Sequence, residues 1–189
     1  MRPPMSLGDQ FPLALAAART GADWGLASLY RDLQPRILRY FQAHEPGAAE
    51  DLASEVWLGV AEGLSRFSGG EEQFRGWIFT IARRRLVDLR RTTARRRTLV
   101  LPPEELPAYG SVGDAEQEAI GILGTSAVLA RIATLPAEQA DVLLLRVVAE
   151  LPVGQVAQIL GKRPGAVRVL QHRALRRLAV ELSRQEVTE

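Results

Sequence analysis

VGQVAQILGKRPGAVRVLQH, from Val153 to His172, reads as a short helix, a glycine turn and a second helix. Val156, Leu160, Val167 and Leu170 stand where two such helices bury apolar side chains against each other, and Ala157 stands where they cross too closely for anything larger. Gly161 falls in the turn, where a positive φ is needed and glycine meets no steric cost. Pro164 falls in the first turn of the second helix, where its missing N–H is harmless. The series Val167, Leu170, Ala174, Leu178, Leu182 continues at helical spacing and leaves Arg168, Val169, His172, Arg173 and Arg176 on other faces, with Arg163 just ahead of them. A helix-turn-helix needs this division, because one face packs while the other carries side chains into the major groove. The spacing of Ala157, Gly161 and Val167 favours DNA binding over an ordinary helical hairpin with a solvated basic face. Lys162 departs from the pattern, since that turn position is more often apolar. His172 has no second ligand three or four residues away, so a metal site is not expected there.

Outward from this motif, apolar residues keep recurring at three and four, with no sustained period of two. The expected fold class is all-α: two small helical domains joined by a flexible linker. Leu26, Leu29, Tyr30, Leu33, Ile37 and Phe41 make one stripe, which Pro35 is expected to kink or interrupt. Leu52, Val56, Val60 and Leu64 make a second, closed by the turn Ser68-Gly69-Gly70. A third helix is expected from near Gln73 through Phe74, Trp77, Ile78, Ile81, Leu86 and Leu89 into an arginine-rich end. Thr98 to Gly113 holds three prolines and two glycines without helical periodicity and reads as a linker. Asp114 is expected to open a helix that runs to about Thr134, and Pro136 to start another. The division is therefore 1–97, a linker over 98–126, and 127–189.

The charge follows the same division. Residues 1–97 carry 15 basic and 11 acidic side chains, 98–134 carry 1 and 5, and 135–189 carry 8 and 6, which recovers the net +2 of 24 Lys+Arg against 22 Asp+Glu. Two basic ends around an acidic connector suit two nucleic-acid-facing modules, since phosphate is neutralised locally. Lys162 is the sole lysine among these cations; arginine supplies the planar fork that fits phosphate and guanine edges. A GC-rich genome would give the same bias.

Composition also excludes. With 47% hydrophobic residues among 189 the chain has enough apolar side chain to fold. It has no cysteine and 2 histidines, His44 and His172, which removes disulfides, thiolate zinc sites and cysteine nucleophiles and makes histidine triads poor candidates. The longest uncharged apolar stretch, Ala119 to Ala130, is 12 residues, against about 20 for a membrane span. The apolar patch Leu13 to Ala18 is too short for a signal peptide. A cytoplasmic protein without membrane insertion is expected, with no cofactor and no metal.

Between Arg83 and Arg97 eight of fifteen residues are arginine: Arg83, Arg84, Arg85, Arg90, Arg91, Arg95, Arg96 and Arg97. A charge run is usually a solvated face. This one continues a helix containing Phe74, Trp77 and Phe79 and follows the turn Arg66-Phe67-Ser68-Gly69-Gly70, and basic residues interleaved with aromatics suit single-stranded or melted DNA. Trp77 and Ile81 read as core, and Phe67 as either core or contact. Upstream, Glu50, Asp51, Glu55 and Glu62 lie opposite Leu52, Val56, Val60 and Leu64, an acidic face for a basic partner. As a catalytic pair Asp51 and Glu55 lack a nearby histidine or phosphate loop, so no enzyme is expected.

LYRDLQPRILRYF, AEDLASEVWLGVAEGLSRF and FRGWIFTIARRRLVDLRR resemble region two, and LPAEQADVLLLRVVAELPVGQVAQILGKRPGAVRVLQHRALRRL resembles region four, of the extracytoplasmic-function (ECF) sigma factors of bacterial RNA polymerase. Together they cover about Pro12 to Leu182. The resemblance implies that region two docks on the clamp helices of the largest polymerase subunit and opens the minus-ten promoter element. It implies that region four grips the minus-thirty-five element as duplex, next to the flap of the second-largest subunit. Carried onto this chain, Asp51, Leu52, Glu55 and Val56 become the polymerase contact. Arg66 and Phe67, in the turn to Gln73, take a flipped-out base, and Arg83, Arg84, Arg90 and Arg91 hold the separating strand. Arg163, Arg168, Val169, His172, Arg173 and Arg176 read the upstream element. Partners so implied are core polymerase, promoter DNA and an anti-sigma factor. Arg84 stands where many members carry Asn. Leu170 and Gln171 stand where many carry a basic and then an apolar residue, which leaves two registers for the recognition helix, one position apart.

The acidic connector would mimic nucleic acid in the polymerase channel, through residues such as Glu104 and Glu105. The alternative to a sigma factor is a stand-alone dimeric helix-turn-helix regulator, which would have no use for the arginine helix at Arg83 to Arg97.

Overall fold

The computed structural model describes residues 7–99 and 127–186, and among these the secondary structure is helical throughout. α1 (Phe11–Arg19) carries Phe11, Ala14 and Leu15 inward and turns at Thr20 into α2 (Asp23–His44). The two helices touch at Gly25, where a side chain would put its Cβ 2.6 Å from the Ala14 carbonyl and 2.7 Å from the Ala17 methyl. α2 buries Leu29, Leu33, Ile37, Tyr40 and Phe41, whereas Leu26 and Tyr30 of the expected stripe are exposed. It runs unbroken through Pro35. Pro35 sits on the solvent side, so the carbonyl it leaves without a donor faces water, which is how a helix tolerates an internal proline.

α3 (Ala49–Gly63) follows a 3-10 turn at Pro46–Ala48 and has Glu50 and Asp51 in its first turn, where the helix dipole favours negative charge. It buries Leu52, Ala53, Val56 and Val60. α4 (Glu71–Leu99) starts two residues earlier than the spacing suggests, because the Gln73 side chain reaches back to accept the Gly70 N–H at 3.1 Å and fixes the start. Phe74, Ile78, Phe79, Ala82 and Leu86 of α4 close the core of this lobe.

The second lobe begins with α5 (residues 127–133), which is the described part of the helix expected from Asp114; Asp114 itself lies outside the described residues. Pro136 is the cap ahead of α6 (Ala137–Leu143) rather than its first residue, and α6 widens into a π turn over Leu144–Val148. α7 (Val153–Leu160) and α8 (Pro164–Glu186) are the last of the described elements. Val142, Leu143, Leu144, Leu145, Leu151, Val156, Val167 and Ala174 form this lobe's core.

Two helical lobes are therefore present, and they are not independent. α7 lies against the first half of α4, with the Gln155 side chain over Gly76, and the π turn lies against α2. A Cβ at Gly76 would come within 3.0 Å of Gln155 Cδ. The buried residues of both lobes join in one cluster. The expected linker overlaps the described residues only at its first two positions, which belong to α4.

Candidate polymerase and nucleic-acid interface

The helix-turn-helix is built by local chemistry. Gly161 takes φ +63°, and the turn closes with Lys162 N–H on the Ala157 carbonyl (2.9 Å) and Gly161 N–H on that of Gln158 (3.2 Å), the paired bonds of a Schellman ending. Lys162 has a use here: its ammonium lies 2.6 Å from the Glu138 carboxylate and ties the turn to α6. α8 turns Val167 and Ala174 fully inward, with Leu170 and Leu178 packed against the same core. Leu170 therefore belongs to the packing face. Arg163, Arg168, Val169, His172, Arg173 and Arg176 are all exposed, Val169 to 49%. Arg146 fixes α8 from behind, donating to the Leu151 carbonyl and to Gln171 Oε1. The result is a helix whose outer face is basic and partly apolar.

On the first lobe, Arg84 and Arg91 are exposed on α4, together with Arg95 and Arg96 about one turn beyond Arg91. Arg85 approaches Glu55 at 3.6 Å. Arg90 donates to Glu45 Oε1 at 2.9 Å and faces His44 Nδ1 at 3.4 Å. Arg83 is half-buried, its guanidinium 3.4 Å from Asp141 of the other lobe. The turn before α4 is fixed from outside: Arg19 donates to the carbonyls of Leu64 and Phe67. Arg66 is exposed on this turn, but the Phe67 ring is not free. It stacks on Trp77 (5.1 Å, 26°) and meets Phe74 edge-on (5.1 Å). Phe67 is therefore the floor of the turn, and the ring expected to take a base is already stacked within the protein.

A second correction concerns α3. Leu52 and Val56 are buried at 3% and 0%, so they cannot meet a partner; they are the core stripe against α2 and α4. Asp51 and Glu55 are exposed as expected. The apolar part of this surface is Leu58, 65% exposed, next to Trp57, whose indole donates to Gln34 Oε1 at 2.7 Å and packs on the exposed ring of Tyr30 at 5.0 Å. Periodicity assigns Leu58 to neither stripe, and an apolar residue out of phase with the buried series was the one available signal for it.

The chain is therefore an all-helical protein of two lobes, with a basic outer helix face on one and an arginine-lined helix beside an acidic ridge on the other. The comparisons with known proteins make this specific. Residues 29–96 match the family model for sigma-70 region 2, and residues 125–178 match that for sigma-70 region 4. The chain is 36% identical to the ECF RNA polymerase sigma factor ShbA of Streptomyces griseus over 79% of this chain and 83% of that one. It is 32% identical to the ECF sigma factor SigD of Mycobacterium tuberculosis, over 93% and 85%. The fold is shared with CnrH, solved in complex with the cytosolic domain of CnrY, at a TM-score of 0.61 and 18% identity, covering 93% of this chain and 98% of that one. The chain belongs to the ECF sigma factors of the sigma-70 family.

Proposed function

We propose that this chain binds core RNA polymerase through the exposed ridge of α3, directs it to promoters by reading their upstream element with α8, and holds the opened strand along α4. The observation that carries this reading is the presence, in one chain, of an exposed recognition face on α8 and an arginine-lined α4 next to the acidic ridge of Asp51 and Glu55. A duplex-binding regulator uses only the first of these, so the stand-alone reading is not favoured. Flipping a base costs a few kcal/mol, and stacking and phosphate contacts return about 1–3 kcal/mol per base, so strand opening by so small a protein depends on a large partner.

In this reading the clamp helices of the largest subunit meet Asp51, Glu55 and the Leu58–Trp57–Tyr30 patch, with Leu52 and Val56 supporting from the core. Arg66 stands at the mouth of the turn floored by Phe67, where an unpaired base is received. Arg84 and Arg91, with Arg83 and Arg90, follow the strand. Arg163, Arg168, Val169, His172, Arg173 and Arg176 enter the upstream element, near the flap of the second-largest subunit. The division is residues 1–97 for polymerase and minus-ten contacts, 98–126 as connector and 127–189 for the upstream element. The chain is a specificity subunit without catalytic residues of its own, acting in the cytoplasm. Among the described residues no helix is long and apolar enough to cross a membrane. An anti-sigma factor is part of the proposal as a regulator, supported by the existence of CnrH in complex with the cytosolic domain of CnrY.

Two double variants test the division. Arg168→Ala/Arg173→Ala is expected to lose upstream-element recognition in a footprint while keeping polymerase binding, and Asp51→Lys/Glu55→Lys is expected to do the reverse. Equal loss of both activities in both proteins contradicts the assignment.

A further inference from the structure

The turn between α3 and α4 is tied at both ends to a segment that precedes either helix. At its start Arg19, the last residue of α1, donates through Nε to the Leu64 carbonyl at 3.3 Å and through Nη2 to the Phe67 carbonyl. Leu64 is the C-cap of α3, where a cation also meets the negative end of the helix dipole. At the far end the Glu71 carboxylate, in the first turn of α4, accepts the Leu7 N–H at 3.0 Å and the Gly8 N–H at 2.9 Å, one on each oxygen. These two amides open the 3-10 turn Gly8–Gln10 that leads into α1, and no side chain of its own caps that turn. Between the two ties, Phe11 of α1 tilts against Phe74, which meets the Phe67 ring edge-on.

The turn has little else to order it. Ser65, Arg66, Ser68, Gly69 and Gly70 are all exposed. Its backbone bonds gather at its ends, with the Arg66 and Phe67 N–H groups on the Gly63 carbonyl and the Gly70 N–H on Gln73. Gly69, at φ +146°, brings the chain so close that a Cβ there would lie 2.9 Å from Gln73 Cβ and 3.2 Å from the Phe67 ring. Two glycines and two serines among five exposed positions leave an untied turn many conformations. Both ties reach back to residues 7–19, ahead of the stretch 29–96 that matches the sigma-70 region 2 family model.

We propose that Arg19 and Glu71 are positioning residues, which tie the turn to residues 7–19 and so keep Arg66 and the Phe67 floor in the arrangement that receives an unpaired base. The reception of a base there rests on the function proposed above; the hold on the turn does not. A turn already formed loses less conformational entropy when the base arrives, and its apparent affinity scales with the fraction of time it is formed. Neither residue touches the base in this reading, since the Arg19 guanidinium is occupied by two carbonyls and the Glu71 carboxylate by two amides.

Three variants of the full chain test this. Arg19→Ala removes the first tie, Arg19→Lys keeps the charge without the planar fork, and Glu71→Gln leaves one acceptor oxygen of two. In the free protein, hydrogen exchange at the bonded amides of Arg66, Phe67 and Gly70 is expected to be roughly tenfold faster in Arg19→Ala, the factor that one hydrogen bond to a charged group supplies. Arg19→Lys is expected to fall between, with the amides of α7 and α8 unchanged in every variant. Holoenzyme assembled with core polymerase is then titrated with a single-stranded oligonucleotide carrying the minus-ten element of a promoter that the unmutated protein serves. Arg19→Ala and Glu71→Gln are expected to bind it roughly tenfold more weakly, again on the scale of one such bond, with part of the loss recovered in Arg19→Lys. Core binding and the footprint over the upstream element are expected to stay as they are. Should Arg19→Ala lose helix by circular dichroism, Arg19→Lys and Glu71→Gln carry the same readouts. Equal loss of all three activities marks general support of the fold and overturns positioning, and unchanged exchange at the turn in all three variants overturns the hold itself. Faster exchange with unchanged oligonucleotide affinity overturns the reception of a base at this turn and leaves the hold standing.

Discussion

Asp32 lies 3.9 Å from Arg36 at the edge of the seam between the lobes, where its surroundings weigh on a single carboxyl. Burial is the largest influence and pushes its carboxyl above the ordinary 3.8; Arg36 and Arg75 pull it back, while Glu71 and Glu150 add to the rise. A carboxyl raised in the folded chain holds its proton more tightly there than when unfolded. Its contribution to stability is therefore fully present below 3.8 and is lost as pH rises through the higher folded value. Asp32→Asn is expected to remove this downward slope, read as the difference in urea midpoint between the two proteins across that window. Parallel profiles would contradict it. Tyr40 is pushed in the same direction by complete burial and by Asp141, so it stays protonated, its ring edge-on to His44 and Phe79.

Helices meet here through their small residues. At Gly25 the nearest atoms of α1 include backbone, which cannot swing aside, whereas at Gly76 the neighbour is the flexible end of Gln155. Gly25→Ala is accordingly expected to cost about 1–3 kcal/mol of unfolding free energy by forcing α1 off α2. Gly76→Ala should cost less than Gly25→Ala, and chemical denaturation of the two variants measures the difference; equal losses would contradict the packing argument. The contrast also explains what the sequence made legible. Gly161, Pro164 and Ala157 announce the helix-turn-helix because turn geometry and close crossing are local demands on residue type. The stripes of α3 and α4 were readable for the same reason, since a buried face repeats with the helix. Leu52 and Val56 were misassigned to the partner surface because membership of a stripe does not say which side of it is covered. Leu26 and Tyr30 fit the α2 stripe by spacing yet lie on its exposed edge, while Tyr40, out of that series, is in the core. The two-residue error at the start of α4 came from a side-chain cap that periodicity does not register.

At the scale of the molecule, the seam is what the sequence could not show. Asp141 and Glu150 look like ordinary surface carboxylates until the fold sets them against Arg36, His44, Arg75 and Arg83, residues 58 to 114 positions away. The two lobes were legible from their separate motifs, and the charge count of each anticipated a basic face on both. The connector through Glu104 and Glu105, with its proposed mimicry of nucleic acid, lies outside the described residues, and deleting those two carboxylates with promoter escape unchanged would count against it. The whole assembly is tested at once by run-off transcription with purified core polymerase of the source bacterium, promoter fragments from its genome, and this protein added or omitted. Transcripts from defined start sites only when the protein is present are the predicted result, and aligning the upstream sequences then gives the elements that α4 and α8 read. Core polymerase that neither binds the protein nor initiates with it, while the protein alone shifts duplex DNA as a dimer, would overturn the promoter-directing role.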